Sequence, residues 1–495
     1  YQSRTSQYFK PGTVGSTFGQ GYFTDGITNN RVFNTDLIAR SNFDFGDKIN
    51  LSITLGANLN DRKYLRIGGN IRDFILPIDL QDFSNAQPEN TNIDDFDRHM
   101  RTAATYFSGN IGLFDMLFVN SNLRVESSST IGPNADKVFI YPSVDLAWQF
   151  SKLNLFLGSP VLTFGKLRLA YGEVGVEPPP YNTQSIYVSP NYSDSYGGSL
   201  STDLFGAGSF TPSQDLGDPN LSPEIKKEYE IGPDMRFFDN KVKIGYSYFY
   251  NTTDDVFFNL SLANSSGYDE IFTNAGKIEN KGMEVDLGYD IFQTEDFKIN
   301  LTANWSYYRN KVLDLKGVES IRLGGLSAVS GRAVEGYPLG VFWGTKFSRN
   351  DDGTIFLNSN GFPTLAPENG VIGDPHPDWQ GGVGTTVTWK NLNLYFLFET
   401  YQGADIYAGT KAVLLNYGRH RDSGVETIAQ KDLFDYNGGL ITSGTSFRGI
   451  VHDFGAGDVA LTESWYRGIG GYFSGVQEQF VEDGSWTRLR EVTLS

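Results

Sequence analysis

The sequence predicts an all-β chain, built as a transmembrane antiparallel β-barrel. Three observations carry this. Apolar and polar residues alternate over ten or more positions, again and again. The segments between these runs are either tight two-residue turns or very long. The polar face of the alternating runs is rich in Lys, Asp, Glu and Asn, which suits an aqueous bore better than the core of a sandwich. A soluble multi-sheet β protein also alternates and stays open as the second reading.

The runs can be followed along the chain. In "DKINLSITLGANLN", Ile49, Leu51, Ile53, Leu55, Ala57 and Leu59 share one face, and Asn50, Ser52, Thr54, Gly56 and Asn58 the other. "KVKIGYSYFY" lines up Val242, Ile244, Tyr246, Tyr248 and Tyr250. "GMEVDLGYDI" sets Met283, Val285, Leu287, Tyr289 and Ile291 against Glu284, Asp286, Gly288 and Asp290. "FKINLTANWSYY" sets Phe297, Ile299, Leu301, Ala303, Trp305 and Tyr307 against Lys298, Asn300, Thr302, Asn304, Ser306 and Tyr308. Further strands are expected near 33–46, 100–113, 116–128, 137–150, 164–174, 226–238, 337–348, 380–390, 391–402 and 485–495. That makes about 14 runs, long enough to cross a bilayer when tilted. Aromatic residues gather near strand ends, as an interfacial girdle would require. A short helix is expected within 405–416.

Turns of two residues are read at Gly46–Asp47, Asp239–Asn240 and Lys390–Asn391. Long connections are expected over about 60–98, 176–223, 310–335, 350–378 and 405–480. One plain rim and one elaborate rim match outer-membrane barrels, with short periplasmic turns and long extracellular loops.

Composition excludes several classes. The chain has 495 residues, 40 Lys and Arg, 58 Asp and Glu, and a net charge of −18. No basic face for nucleic acid is evident. Without cysteine, neither a disulfide framework nor a thiolate metal site exists. No apolar run reaches the length of a membrane helix. His99, His376, His420 and His452 are scattered and read as loop or rim imidazoles. Glu228 with Glu230, and Asp94, Asp95 and Asp97, read as solvated charge. No nucleophile elbow, phosphate cradle or other catalytic constellation is present, so neither an enzyme nor a cofactor is expected. The loop 181–210 is different. Tyr181, Tyr187, Tyr192 and Tyr196 stand among Asn, Ser and Asp. Flat rings beside short polar groups suit capture of carbohydrate or peptide, and self-packing of the loop is the competing reading. "GVEPPPYN" before it fixes extended backbone.

Seven stretches in order resemble the SusC-like branch of the TonB-dependent outer-membrane transporters of Bacteroidetes. They are "YPSVDLAWQFS", "KLRLAYGEVG", "DPNLSPEIKKEYEIG", "NAGKIENKGMEV", "EGYPLGVFWG", "VIGDPHPDWQGG" and "FVEDGSWTRLREVTLS", spread from about 141 to 495. Trp379 stands where Phe or Tyr is commoner. "RNDDGTIFLNSNG" keeps only Asp351, Asp352 and Gly353 of an acidic loop, too few for an EF-hand-like calcium site. The resemblance implies a barrel of about 22 strands, of which this chain holds part. It implies an N-terminal plug and closing strands outside this segment, and the sequence does read as an internal piece.

Several expectations follow from that resemblance. The function is active import of a large nutrient, an oligosaccharide or a peptide, across the outer membrane. The partners are a SusD-like lipoprotein lid, the TonB–ExbB–ExbD system, the lipid bilayer, and a dimer of transporter–lid pairs. Glu284, Asp286, Lys298, Asn300 and Asn304 would face the bore. The alternative is a barrel of this type acting as scaffold in a secretion or surface complex.

Overall fold

The computed structural model describes all residues except 1, 10–19, 47, 77, 79, 189–190, 193–199, 202–209, 327 and 474; the side chains of 89, 191–192 and 200–201 are also left aside. The chain divides into two compact units. Among the described residues, fourteen strands carry the fold. Those of the first half are β1 Gln2–Phe9, β2 Tyr22–Phe45, β3 Ile49–Arg72, β4 Thr91–Leu113, β5 Leu117–Ser128, β6 Phe139–Trp148 and β7 Leu162–Val176. Those of the second are β8 Glu224–Phe237, β9 Val242–Ser261, β10 Glu270–Gln293, β11 Phe297–Asp314, β12 Trp379–Trp389, β13 Leu392–Gln402 and β14 Trp486–Leu494.

In the first unit, β1 to β6 are hydrogen-bonded neighbours in sequence order. The pairs β1–β2, β2–β3, β3–β4 and β4–β5 are antiparallel, and residues opposite one another share a face. Phe43, Leu51, Ile111 and Val119 form one rung of the apolar face. Leu55, Phe107 and Leu123 form another. The polar face answers with Asn42, Ser52, Asn110 and Asn120. In the second unit β7 to β14 are likewise consecutive neighbours. There Tyr289, Leu301, Thr385 and Phe396 make one rung, and Asp286, Asn304, Gly382 and Glu399 a rung of the opposite face.

The apolar row is bare to solvent. Leu55 is 55% exposed, Leu59 60%, Val383 46% and Phe398 48%, which a soluble core does not tolerate in contiguous strands. The row has a defined height. On β3 it runs from Ile49 to Leu59, then meets Asp61; on β11 it runs from Phe297 to Tyr307, then meets Arg309. Ten steps at roughly 3.3 Å make about 33 Å of strand. A tilt of about 40° reduces that to about 25 Å, the height of a lipid-facing band. Trp305 and Tyr307 stack at its edge, and the Arg309 guanidinium lies over the Tyr307 ring at 5.0 Å.

Tight turns join the strands at one end of this band. Phe238, Asp239 and Asn240 take positive φ, as do Phe114, Asp115 and Lys390, the left-handed backbone of short hairpin connections. Gly46 is left-handed too, while Asp47 lies outside the described residues.

At the other end several expectations need correction. The segment 60–98 is not a long loop: β3 continues to Arg72 and β4 begins at Thr91, so only 73–90 lies outside strands. Alternation is masked there because charge falls on both faces beyond Leu59, Asp61 and Lys63 on one, Arg62 and Arg66 on the other. The expected strand at 337–348 shrinks to Val341–Gly344, flanked by Gly336 and Gly340 in left-handed backbone. It joins Ser320–Gly325, Val329–Val334 and Gly370–Gly373 in a separate four-stranded sheet, so much of 310–335 is also ordered. The helix expected within 405–416 is Gly409–Asn416. The described residues of 405–480 are ordered as well. Together with residues near 347 and 362 they build a core of their own around Phe362, Trp465, Tyr466 and Phe480.

Candidate functional site

The polar face of the second unit holds an ion network. Arg168 on β7 donates from Nη1 to Glu230 Oε1 at 2.9 Å and from Nε to Asp234 Oδ2 at 3.0 Å, both on β8. Its Nη2 donates to Ser247 Oγ on β9 at 3.1 Å. Lys166 Nζ lies 2.9 Å from the same Asp234 oxygen. Alternation places Lys166 with Arg168, and Glu230 with Asp234, on one face. A neighbouring glycine, Gly232, admits Arg168: a Cβ there would lie 2.9 Å from its Nη2.

Beside this network lies a trough of about 610 Å³. Its floor is made low by Gly245, Gly288, Gly382 and Gly384, and its sides carry Lys166, Asp234, Lys243, Asp286, Asn304 and Tyr395. Register explains the assembly. Asp286 faces Asn304, which faces Gly382; Gly288 faces Thr302, which faces Gly384. Of the five residues expected to face the bore, Glu284, Asp286, Lys298, Asn300 and Asn304 all lie on this polar face. Asp286 and Asn304 line the trough. Asn300 donates to Asp290 Oδ1 at 2.7 Å. Glu284 and Lys298 are exposed along the same face. The sequence pattern did not single out Arg168, Lys166, Asp234 or Lys243. Their signal was charge at every second position, but their partnership needs a register that spacing does not reveal.

The tyrosine loop is anchored in the first unit. Thr102 Oγ1 donates to Glu177 Oε2 at 2.9 Å, just before the three prolines. Tyr181 takes a φ of 72°, and its hydroxyl accepts the His99 backbone N–H at 3.1 Å. A left-handed tyrosine is held against strain. It lines a cavity of about 390 Å³ with His99, Arg101, Thr130, Thr183 and Gln184. Asp61 Oδ2 lies 2.9 Å from both His99 Nε2 and Arg101 Nε. Tyr187 is 72% exposed in a two-residue strand paired with Thr211–Pro212 and does not line that cavity. Only the backbone of Tyr192 is described, paired with Leu200, and Tyr196 lies outside the described residues. Of Glu228 and Glu230, read as solvated charge, Glu230 belongs to the Arg168 network.

The sequence landmarks do structural work. Asn274 accepts the Ser222 N–H at 2.9 Å and returns a bond from Nδ2 to Ser222 O, tying "NAGKIENKGMEV" to "DPNLSPE". In "VIGDPHPDWQGG", Asp374 Oδ1 accepts the His376 N–H at 3.0 Å and lies 2.8 Å from its Nδ1. Burial opposes the Asp374 charge, yet the His376 bonds hold its pKa below the ordinary carboxylate value. Burial likewise pushes the Tyr407 hydroxyl up to about 12. Among the described residues no three His, Cys, Asp or Glu side chains cluster as a metal would need.

Comparison with known proteins agrees with this architecture. Residues 1–427 match the family described as TonB dependent receptor-like, beta-barrel. TonB-dependent receptor P26 of Formosa agariphila is 29% identical over 308 residues, 57% of this chain and 30% of that protein. TonB-dependent receptor SusC of Bacteroides thetaiotaomicron is 23% identical over 418 residues, 79% of this chain and 37% of its own length. The solved RagAB peptide transporter superposes with a TM-score of 0.72 at 18% identity, covering 100% of this chain and 52% of that one. This chain thus spans about a third of the length of the curated relatives it matches. It belongs to the TonB-dependent receptor-like β-barrel family and is an integral β-barrel chain of the outer membrane.

Proposed function

We propose that this chain forms the wall of an active importer. It would carry a large nutrient, an oligosaccharide or a peptide, with energy from the TonB–ExbB–ExbD system and a SusD-like lipoprotein as lid. The carrying observation is the two-faced sheet, with a bare apolar row on one side and the charged glycine-floored trough on the other. Lys243 and Asp286 stand on the sides of this trough, charged groups that a polar cargo can meet. The RagAB structure, which shares this fold, is named as a peptide transporter, and SusC as a TonB-dependent receptor, which supports the reading. In this reading Glu284, Asp286, Lys298, Asn300 and Asn304 face the passage. Tyr181 and Tyr187 meet cargo at the outer mouth, with Tyr192 and Tyr196 in the same loop.

The test is uptake by cells producing the full-length protein, with and without a protonophore. Asp286→Asn and Lys243→Gln are expected to cut uptake severalfold and to leave the heat-modifiable folded band on SDS gels unchanged. Unchanged uptake in both variants would remove the trough from the pathway. Failure of both to assemble would mean that the two faces are assigned the wrong way round.

A further inference from the structure

Strand β4 is paired on both sides for only half its length. Its whole span from Thr91 bonds to β3, but β5 joins it only from Thr102 onward. Just before that point, Arg101 exchanges bonds with Ser129: the Ser129 N–H donates to Arg101 O at 2.9 Å, and the Arg101 N–H to Ser129 Oγ at 3.0 Å. His99 gives its N–H to Tyr181. In an antiparallel sheet, alternate residues point both backbone groups to the same side. Ile93, Asp95 and Asp97 therefore present their N–H and C=O groups to the edge that Arg101 and His99 use. Among the described residues nothing pairs with them there.

Native sheets blunt such an edge with proline, lysine, a bulge or a covering segment. This one has none of these among the described residues. Every residue from 92 to 98 is exposed, Ile93 by 76% and Phe96 by 46%. Charge guards it instead, with Asp95 and Asp97 on one face and Asp94 and Arg98 on the other. Asp97 is shared with Lys63 at 3.1 Å and Asp94 with Arg66 at 3.4 Å, while Asp95 makes no ion pair among the described residues. The edge stands past the apolar band, two rungs beyond Asp61 and Arg101, at the end of the strands that carries the long connections.

We propose that this edge docks an extended segment of a partner polypeptide, which adds a strand to β4 and carries cationic side chains at alternate positions. Three N–H and three C=O groups in a row are complementary to a polypeptide backbone and not to a glycan. Asp95 and Asp97 lie on the face that the segment's alternate side chains would share. The chain's charge of −18 draws a cationic partner. The inference rests on the importer reading, since it takes the lipoprotein lid as the polypeptide that brings the segment.

Residue-resolved hydrogen exchange of the full-length transporter, alone and with a purified SusD-like lipoprotein from the same organism, tests this. Ile93, Asp95 and Asp97 amides should exchange fast in the free protein and at least about tenfold slower in the complex. Asn92, Asp94 and Phe96, already bonded to β3, should not change. Ile93→Pro removes one outward N–H at a position an edge strand tolerates, and should weaken the complex about fivefold with an unchanged folded band. Asp95→Lys should weaken it too. The inference is overturned if the three amides are protected in the free protein, or stay fast in a complex that forms. It is equally overturned if an acetylated Lys-Val-Lys-Val-Lys-Val peptide protects them while the lipoprotein does not, since the edge would then serve cargo. Absence of any complex would instead count against the lid itself.

Discussion

Glycines and aromatic rings act as pairs on these strands. Gly56 on β3 faces Tyr106 on β4, and a Cβ at Gly56 would lie 2.0 Å from the ring. A Cβ at Gly175 would lie 2.4 Å from the Tyr141 ring, and one at Gly276 2.5 Å from the Phe258 ring. Each glycine opens a slot in which a ring from another strand lies flat on the backbone, so the ring shields hydrogen bonds that the bare residue would leave wet. Gly56→Val forces the Tyr106 ring out and should cost about 1–3 kcal/mol. The folded, heat-modifiable fraction should fall accordingly, and Tyr106→Ala in the same chain should restore part of it. A double variant worse than the single would show that the slot is not what the ring needs.

At the scale of the strand, parity decides the environment. Leu301 and Thr302 are adjacent on β11, yet Leu301 faces Tyr289 and Thr385 on the apolar side, and Thr302 faces Gly288 and Gly384 over the trough. Leu301→Arg should cost about 2–4 kcal/mol near the middle of the band, whereas Thr302→Arg should be nearly neutral to stability. Urea or heat titration of the folded band in matched detergent would measure both. Equal costs would deny that one face meets hydrocarbon. This parity was legible from residues alone, because Phe297 to Tyr307 alternates without a fault. The upper half of β3 was not. "DRKYLRIGGNIR" has charge on both parities, since both sides are wet once the strand leaves the band. The Arg168 network was illegible for another reason. Its acids come from 62 and 66 residues away, and only register brings them to one face.

At the scale of the molecule, a large aromatic core among the described residues lies in the connections and not on the fourteen strands. The largest fully buried side chains include Phe362 and Phe480, both within connections. The Phe362 ring meets Tyr436 at 5.6 Å, Trp465 at 5.7 Å and Phe454 at 6.2 Å, joining segments about a hundred residues apart. Lipid holds the strands by their outer face, so their packing needs no such core, whereas the connections stand in water and must bury their own. The two regions should therefore melt separately. Phe362→Ala should cost the outer connections about 3–5 kcal/mol, since no ring remains to fill the centre of the cluster. Trypsin added to intact cells should then cut near Lys411, Arg419 and Arg421, sites on or beside the Gly409–Asn416 helix that packs into this core. The membrane strands should keep their heat-modifiable band, because none of the residues lost from the cluster belongs to β1–β14. If the band vanished together with protease resistance, the connections would be part of what holds the strands, and the separate stability of the two regions would be refuted.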